Sequence, residues 1–301
     1  MTFCAECKNN IIEHMPENDC CRASRLYGML LFARSFSRDK IICASEHREV
    51  VSHFVDLVAS AGLPVETVEQ GKTAREYSAC ISSQDATERL LADFGHTGEE
   101  LNLRIQKENL HCGRCLGNFV AGAFLTGGSV TNPSSGYHLE FTTYRKNLCG
   151  DFEELLRSCG FEPKLGKRGY LKTLYFKNSS TIEDILTYMD ASDSSLKLMN
   201  EKILKDIVNS VNRRTNCENA NIDKMVNAAS ADIELINKIK ASGADAAMSQ
   251  ELREMMQLRC DNPDLPMAEL GALADPPISK SGVNHRLRKI REKARLLTET
   301  E

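Results

Sequence analysis

The first two thirds of the chain repeat one pattern of residues, and this repeat limits the folds that are open to it. Three pairs of segments match in the same order, at offsets between 94 and 98 residues: 26–35 with 120–129, 59–64 with 157–162, and 81–84 with 177–180. A nearly constant offset over three ordered matches indicates that one ancestral unit was copied and fused. We therefore expect a duplicated module at residues 20–194, with copies at 20–105 and 112–194, after an N-terminal segment at 1–19.

The second copy shows the order of elements within each half. Apolar and polar residues alternate with a period of two over 137–143, as in a strand with one buried face. Further strands are expected around Lys164 and over 171–176, joined by a hairpin turn at 167–169. Helices are predicted at 116–125, 151–158 and 181–189, the last one capped by Ser180. The order αββαββα predicts an α+β module with two antiparallel sheets.

Gly28 and Gly122 occupy equivalent positions inside the first helix of each copy. A glycine in a helix interior costs about 1 kcal/mol relative to alanine. Close approach of two helix backbones would offset this cost, so we predict that the two helices pack against each other.

The C-terminal residues indicate a separate all-helical domain at 217–301, with a helix-turn-helix motif at 266–297. A short helix at 267–274, with Met267, Leu270 and Leu273 inward, ends at two prolines that cannot continue it. Ser279 then supplies the side-chain oxygen that caps a second helix. Apolar residues recur in that helix at steps of four and three, which predicts one buried stripe: Val283, Leu287, Ile290, Ala294 and Leu297.

The positive charge of this second helix predicts that its partner is a polyanion. Residues 276–297 contain seven Lys or Arg and one acid, a net charge of +6, whereas the whole chain carries −4. Double-stranded DNA is the expected counter-charge, and the first turns of such a helix enter the major groove. The residues predicted to bind DNA are Ser279 at the helix start, then Ser281, Asn284, His285 and Arg286 for base contacts, and Lys280, Arg288, Lys289 and Arg291, mainly for phosphates. The alternative is an ordinary C-terminal helix with a solvated basic face.

A connecting helix is expected at 195–216, between the module and the C-terminal domain. Apolar spacing marks one amphipathic helix at 196–211 and another at 222–236, with a polar, Asn-rich break between them. Arg213 and Arg214 lie in this break. They could contact phosphates or simply bracket two helices, and the sequence favours neither interpretation.

Twelve cysteines are the other unusual feature of the composition. Two Cys-x-x-Cys pairs, Cys4/Cys7 and Cys112/Cys115, together have the ligand count of a zinc site. However, 104 residues separate the pairs. We therefore predict reduced, mostly buried thiols, no metal and no cofactor, with a zinc site and redox sensing as less favoured alternatives.

The composition fits a globular protein, with 42% hydrophobic and 27% charged residues. The longest apolar run, 26–33, is far shorter than a membrane span, and the N-terminus has no signal-peptide core. We expect a soluble cytoplasmic protein located at the nucleoid, with no membrane partner.

These features together resemble known families. The paired helices resemble the LAGLIDADG motif of homing endonucleases, in which two such helices pack at a pseudo-two-fold axis beneath a saddle of two sheets. With the C-terminal motif added, the chain is similar to the WhiA family of bacterial DNA-binding proteins, which is linked to sporulation and cell division. The segments that carry this likeness are 20–23, 121–129, 212–221 and 276–290.

The endonuclease resemblance implies an acid near the end of each paired helix, where it would hold the divalent metal of DNA cleavage. Alignment on Gly28 and Gly122 puts Ala33 and Gly127 at these positions. Neither side chain can bind a cation, so we predict a degenerate nuclease without catalytic residues. Basic residues near the strands of the second copy are possible secondary DNA contacts, although acids in the same stretch also fit a solvated face: Arg145, Lys146, Lys167 and Arg168.

The sequence therefore predicts a non-enzymatic DNA-binding protein that regulates transcription in cell division, chromosome segregation or sporulation. One alternative is a nucleoid-associated protein that binds DNA without strong sequence preference. Another is a protein whose duplicated module recruits a second transcription or cell-division regulator. Residual endonuclease activity is the least favoured alternative.

Overall fold

The computed structural model describes residues 1–68 and 76–298. The chain forms two compact units, Met1–Lys205 and Asp206–Glu301. The boundary between them falls inside the connecting helix that the sequence predicts at 195–216.

Unit 1 contains the duplicated module. An N-terminal helix, α1 (Phe3–Glu13), precedes the first copy: α2 (Asp19–Leu31), β1 (Ser35–Phe36), β2 (Ile41–Ser45), α3 (Arg48–Ser60), β3 (Glu66–Val68), β4 (Tyr77–Ile81) and α4 (Gln84–Asp93). The second copy repeats this order: α5 (Cys115–Gly127), β5 (Gly128–Val130), β6 (Leu139–Thr143), α6 (Lys146–Ser158), β7 (Lys164–Arg168), β8 (Leu171–Phe176) and α7 (Ser179–Tyr188). The predicted order αββαββα is confirmed in both copies.

The two sheets share one topology. Their strand orders are β1-β2-β4-β3 and β5-β6-β8-β7, and all neighbouring strands are antiparallel. In the second sheet Leu139 lies opposite Phe176 and Phe141 opposite Leu174, and all four side chains are buried. One apolar core joins both copies and also takes in Phe3, Cys7 and Ile11 of α1. The predicted α+β fold with two antiparallel sheets is therefore confirmed.

The two copies meet at α2 and α5. A Cβ placed on Gly28 would overlap the backbone oxygen of Phe119, and one placed on Gly122 would overlap that of Arg25. These contacts are reciprocal, since each glycine faces the residue three positions before the other. The predicted close approach is confirmed, and it explains why glycine is needed in both helix interiors.

Three local predictions in the second copy were wrong. The hairpin turn lies at 169–170 rather than at 167–169, because Lys167 and Arg168 still pair with Lys172 and Leu171. Helix α6 begins at Lys146 rather than at residue 151, so it is one turn longer than expected. Helix α7 is capped by Asn178, whose side chain accepts a hydrogen bond from the Thr181 amide at 3.1 Å. Ser180, the predicted cap, already lies within the helix.

The predicted break in the connector was also wrong. A single helix, α8, runs from Ser192 to Ala241. Arg213 and Asn221, at the ends of the polar stretch, both lie exposed within it. The stretch contains neither proline nor glycine, and exposed asparagines cost a helix only a fraction of a kcal/mol each. Polarity alone therefore did not interrupt the helix.

Unit 2 contains the rest of α8 and three further helices: α9 (Gln250–Asp261), α10 (Met267–Ala272) and α11 (Lys280–Thr298). Its separate small core is formed by apolar side chains from all four helices, among them Ile236, Met255, Leu270 and Leu287. None of the helices in the described part of the chain is long and apolar enough to cross a membrane.

Candidate nucleic-acid interface in the C-terminal helices

Helices α10 and α11 form the predicted helix-turn-helix. Between them the chain folds back tightly, because the Ile278 amide donates to the Gly271 carbonyl at 2.9 Å. A Cβ on Gly271 would overlap the Ile278 carbonyl oxygen, so only glycine allows this approach. Ser279 caps α11 as predicted, since its Oγ accepts from the Gly282 amide at 3.3 Å.

The apolar stripe of α11 packs into the core of unit 2. Val283, Leu287, Ile290 and Ala294 are all buried there, as their spacing predicts. The side chain of Leu297, the last predicted member, lies outside the described residues.

The inward prediction for Leu273 in the first helix was wrong. Helix α10 ends at Ala272, and the Leu273 side chain is 52% exposed. Ala274 is buried in its place, because the chain has already turned towards α11.

Two arginines, Arg259 and Arg291, stabilise the helices of unit 2 through contacts inside the unit. Arg259, at the end of α9, is almost fully buried and donates to the Leu265 carbonyl at 3.0 Å, which fixes the turn before α10. Burial lowers the pKa of its guanidinium. Arg291 of α11 makes a two-pronged ion pair with Asp232 of α8, with N–O distances of 2.5 and 2.9 Å. Hydrogen bonding to this buried carboxylate raises the pKa of Arg291.

Arg286 is also engaged within unit 2. Its side chain is only 14% exposed, and it lies 3.7 Å from the Glu251 carboxylate of α9. One terminal nitrogen, Nη1, is buried and has no hydrogen-bond partner among the described residues. This placement turns the side chain towards α9.

The other residues predicted to bind DNA lie together on one exposed face of α11. They form two rows with a spacing of four residues: Lys280, Asn284 and Arg288, and Ser281, His285 and Lys289. Ser279 is exposed at the start of this face, with its hydroxyl 2.8 Å from that of Ser281. Arg288 contacts the ring of His285 at 3.3 Å and the carboxylate of Glu292 at 3.7 Å. We name this face the basic face of α11.

The predicted secondary contacts differ in how free their side chains are. Arg145 is half-buried and donates to the carbonyls of Leu31 and Ala33, so it closes the end of α2. Burial lowers its pKa. Lys167 and Arg168 are exposed neighbours on β7, and adjacent strand residues point to opposite faces of a sheet.

The remaining basic candidates are exposed on helices. Lys146 lies at the start of α6. Arg213 and Arg214 lie on α8, where Arg214 pairs with Glu218 at 3.1 Å. Exposed pairs of this kind contribute about 0.3–0.5 kcal/mol, so Arg214 is only weakly held.

The two positions at which the endonucleases carry metal-binding acids, Ala33 and Gly127, lie at the ends of α2 and α5. Ala33 is buried just beyond α2, and its backbone oxygen accepts from Arg145 at 3.3 Å. Gly127 is the last residue of α5 and lies against the ring of Phe32. Glu140, the nearby acid on β6, hydrogen-bonds Ser129 and His138 at 3.2 and 3.1 Å. Neither Ala33 nor Gly127 has a side-chain oxygen that could hold a metal ion.

The sequence pattern did not identify Asp232 and Arg259 as bracing residues. The sequence does contain a signal that Asp232 is buried, because Asp232 lies four and seven residues before Ile236 and Ile239, on the buried stripe of α8. An acid on such a stripe requires a buried partner.

The chain joins a duplicated αββαββα module, whose two copies meet at a glycine-paired helix interface, to a helix-turn-helix. This combination defines a class of two-part proteins with a LAGLIDADG-like module and a helix-turn-helix motif. Family models agree with both parts: the WhiA LAGLIDADG-like domain matches residues 116–208, and the WhiA C-terminal HTH domain matches residues 211–294. The chain belongs to the WhiA family.

Individual relatives support this assignment. The probable cell division protein WhiA of Clostridium botulinum is 32% identical over 96% of both chains. The protein of the same name from Halothermothrix orenii is 41% identical over 71% of this chain and 69% of its own length. Full-length DUF199/WhiA from Thermotoga maritima has the same fold, with a TM-score of 0.62 and 20% identity over 98% of both chains.

Proposed function

We propose that this protein is a non-enzymatic, sequence-specific DNA-binding regulator that acts in cell division, chromosome segregation or sporulation, at the nucleoid. The basic face of α11 carries this proposal. It combines cations with hydrogen-bonding side chains on the first turns of the second helix of a helix-turn-helix, where that motif meets DNA.

The basic face supports a division of roles. Ser281, Asn284 and His285 are exposed and can exchange hydrogen bonds with base edges. Lys280, Arg288 and Lys289 neutralise phosphates, and Ser279 adds its hydroxyl at the helix start. Arg286 and Arg291 brace the motif through Glu251 and Asp232, and so hold the base-contacting residues in place.

The duplicated module supports the non-enzymatic part of the proposal. The endonuclease resemblance implies that cleavage would need metal-binding carboxylates at the ends of the paired helices. Ala33 and Gly127 occupy those places, and the carboxylate of Glu140 is held within its own sheet. We therefore propose that the module is a scaffold.

The process is inferred from relatives, since the family members from Clostridium botulinum and Halothermothrix orenii are named probable cell division proteins.

One experiment tests both the specificity and the absence of cleavage. Purified protein is incubated with fragmented genomic DNA and magnesium at moderate salt, and the retained fragments are sequenced. We expect a shared motif among intact fragments. Even retention across the genome would instead favour a nucleoid-associated protein that binds by charge. Fragments with new, defined ends would contradict the non-enzymatic assignment.

A second function is compatible with the first: recruitment of another transcription or cell-division regulator through the duplicated module. The chain carries −4 overall and +6 at residues 276–297, so about −10 lies elsewhere. Only −2 of this lies on the module, since residues 20–194 contain 20 Lys or Arg and 22 Asp or Glu. The module therefore lacks the positive charge that a second stretch of DNA would attract, and a protein partner suits it better. Pull-down of such regulators with the full chain, with the exposed charged residues of the module intact and replaced, tests this function.

A further inference from the structure

Four cysteines from both copies of the module meet at one place. Cys20 and Cys21 lie in the first turn of α2, Cys115 is the first residue of α5, and Cys112 lies in the turn before it. Their sulfur atoms all lie within 4.8 Å of one another. Cys21 and Cys115 are buried, whereas Cys20 and Cys112 are half-buried. The duplication relates Cys21 to Cys115, because their offset of 94 residues equals that of Gly28 and Gly122.

The distances between the sulfur atoms match a single tetrahedral ion. Cys112 Sγ lies 3.5 Å from Cys21 Sγ, 3.5 Å from Cys115 Sγ and 3.8 Å from Cys20 Sγ. Zinc–thiolate bonds of about 2.3 Å in a tetrahedron put the sulfur atoms about 3.8 Å apart. A disulfide needs about 2.05 Å, which is much shorter. In an iron–sulfur cluster the four thiolates are divided among two or four irons, which sets at least some of them farther apart than around one ion.

We propose that Cys20, Cys21, Cys112 and Cys115 form a structural Zn²⁺ site that joins the N-terminal ends of α2 and α5. The ion is bound by four thiolates, and each thiol releases its proton to solvent on binding. The free amides and the positive dipole ends of the two helices stabilise the negative charge of the thiolates. The Cys112 amide already points at Cys115 Sγ, at 3.4 Å.

This proposal departs from the prediction of reduced, mostly buried thiols without a metal. It also differs from the zinc site that the sequence suggested as an alternative. Cys7 is buried beside Ser194 and Lys197, whereas Cys20 and Cys21 take the places that spacing assigned to Cys4 and Cys7. The proposed site therefore uses one Cys-x-x-Cys pair and one adjacent pair.

The site would act as a second clamp on the helix pair. Gly28 and Gly122 hold α2 and α5 together in mid-helix, and the ion would hold them at their first turns, about two turns earlier. Because the two cysteine pairs belong to different copies, the ion would cross-link the halves of the duplication. We expect metal-free protein to lose thermal stability in unit 1.

Cobalt titration of the full chain tests the proposal. The protein is purified with a reductant, stripped with a chelator, and titrated with Co²⁺ while absorption and proton release are recorded. We expect saturation at one ion per chain, with the intense visible absorption and near-ultraviolet charge transfer of tetrahedral thiolate coordination. Zn²⁺ should then displace the cobalt and raise the Tm by several degrees. This readout uses the unaltered chain, so it does not depend on a variant that folds.

Three variants locate the ion. Cys112→Ser and Cys21→Ser should each lose the tetrathiolate spectrum and most of the gain in Tm. Cys4→Ser, which removes a cysteine of the other Cys-x-x-Cys pair, is the matched control and should keep both.

Several outcomes would overturn the proposal. They are an absence of saturable binding, a weak octahedral spectrum from an adventitious ion only, or equal loss in Cys4→Ser. Isolation with one bound iron would overturn the assignment to zinc.

Discussion

The two parts of the chain that could contact DNA differ in what their surfaces offer. In the described strands of the first sheet, β1 to β4, there is no lysine or arginine. Arg34 and Arg38, which flank β1, are paired with Glu76 and with Glu88 and Glu99. The basic face of α11 instead exposes four basic or ionisable side chains and several hydrogen-bonding groups. The second sheet does carry basic residues on β7 and β8, but they are not placed on a helix that enters a groove of DNA. We therefore expect the DNA contacts of this protein on α11 rather than on the sheets of the duplicated module.

The two units also differ in what holds them together. Unit 1 has a large apolar core and a helix pair that approaches at glycines, so its stability depends on close packing. Unit 2 has a smaller core, which is braced by the buried Arg259 at the end of α9 and by the ion pair between Arg291 of α11 and the buried Asp232. Steric changes should therefore damage unit 1 most, whereas changes in charge should damage unit 2.

Gly122→Ala should have the largest effect. The added methyl group would overlap the Arg25 carbonyl oxygen, so the helix pair must separate, at a cost of about 3 kcal/mol in the free energy of unfolding of unit 1. Gly150→Ala is the matched control, because it lies in α6 with open space around its Cβ position, and should stabilise by up to about 1 kcal/mol. Urea unfolding measures both. Equal effects from the two glycines would refute the tight interface.

Arg291→Ala should destabilise unit 2 by about 2–3 kcal/mol, because it leaves the buried Asp232 carboxylate without its partner. Thermal unfolding of unit 2 measures the loss. The double variant Arg291→Ala with Asp232→Ala should recover part of it, since no unpaired charge is then buried. A stable Arg291→Ala protein that loses only DNA affinity would instead support a phosphate contact for this residue.

Asn284→Ala should weaken binding by about 1–3 kcal/mol on the selected DNA motif and leave binding to unrelated DNA unchanged. Fluorescence anisotropy on both duplexes gives the comparison. Asn221→Ala, an exposed asparagine on α8, is a suitable control and should change neither affinity. Equal weakening on both duplexes would remove Asn284 from the base contacts.

Lys289→Ala should have the smallest effect on affinity but a defined effect on its salt dependence. Loss of one phosphate contact lowers the slope of log K against log salt by about one unit. Arg168→Ala, on an exposed strand of the second sheet, should leave the slope as it is. A lower slope in Arg168→Ala would place DNA on the duplicated module.

Sequence patterns predicted those features that local chemistry determines. Two glycines in helix interiors indicated the α2–α5 approach, and the spacing from Val283 to Ala294 indicated the buried face of α11. Arg286 and Arg291 flank this buried stripe, where a side chain can turn to solvent or to a neighbouring helix. The positions of Glu251 and Asp232 determine that both arginine side chains turn to a neighbouring helix rather than to solvent.

Features that depend on distant residues were harder to predict. The continuous helix α8 depends on the absence of a strong helix breaker, and an Asn-rich stretch imitates a break without being one. The meeting of Cys20 and Cys21 with Cys112 and Cys115 depends on how the two copies pack. The spacing of these cysteines along the chain does not predict such a contact.

We propose that α11, and not the duplicated module, contacts DNA. The most direct measurement places a photo-crosslinking residue at His285 in one variant and at Arg168 in another, both exposed positions. Each variant is bound to the selected duplex and illuminated. We expect a strong crosslink to DNA from position 285 and none above background from position 168. A crosslink from position 168 alone would contradict this proposal.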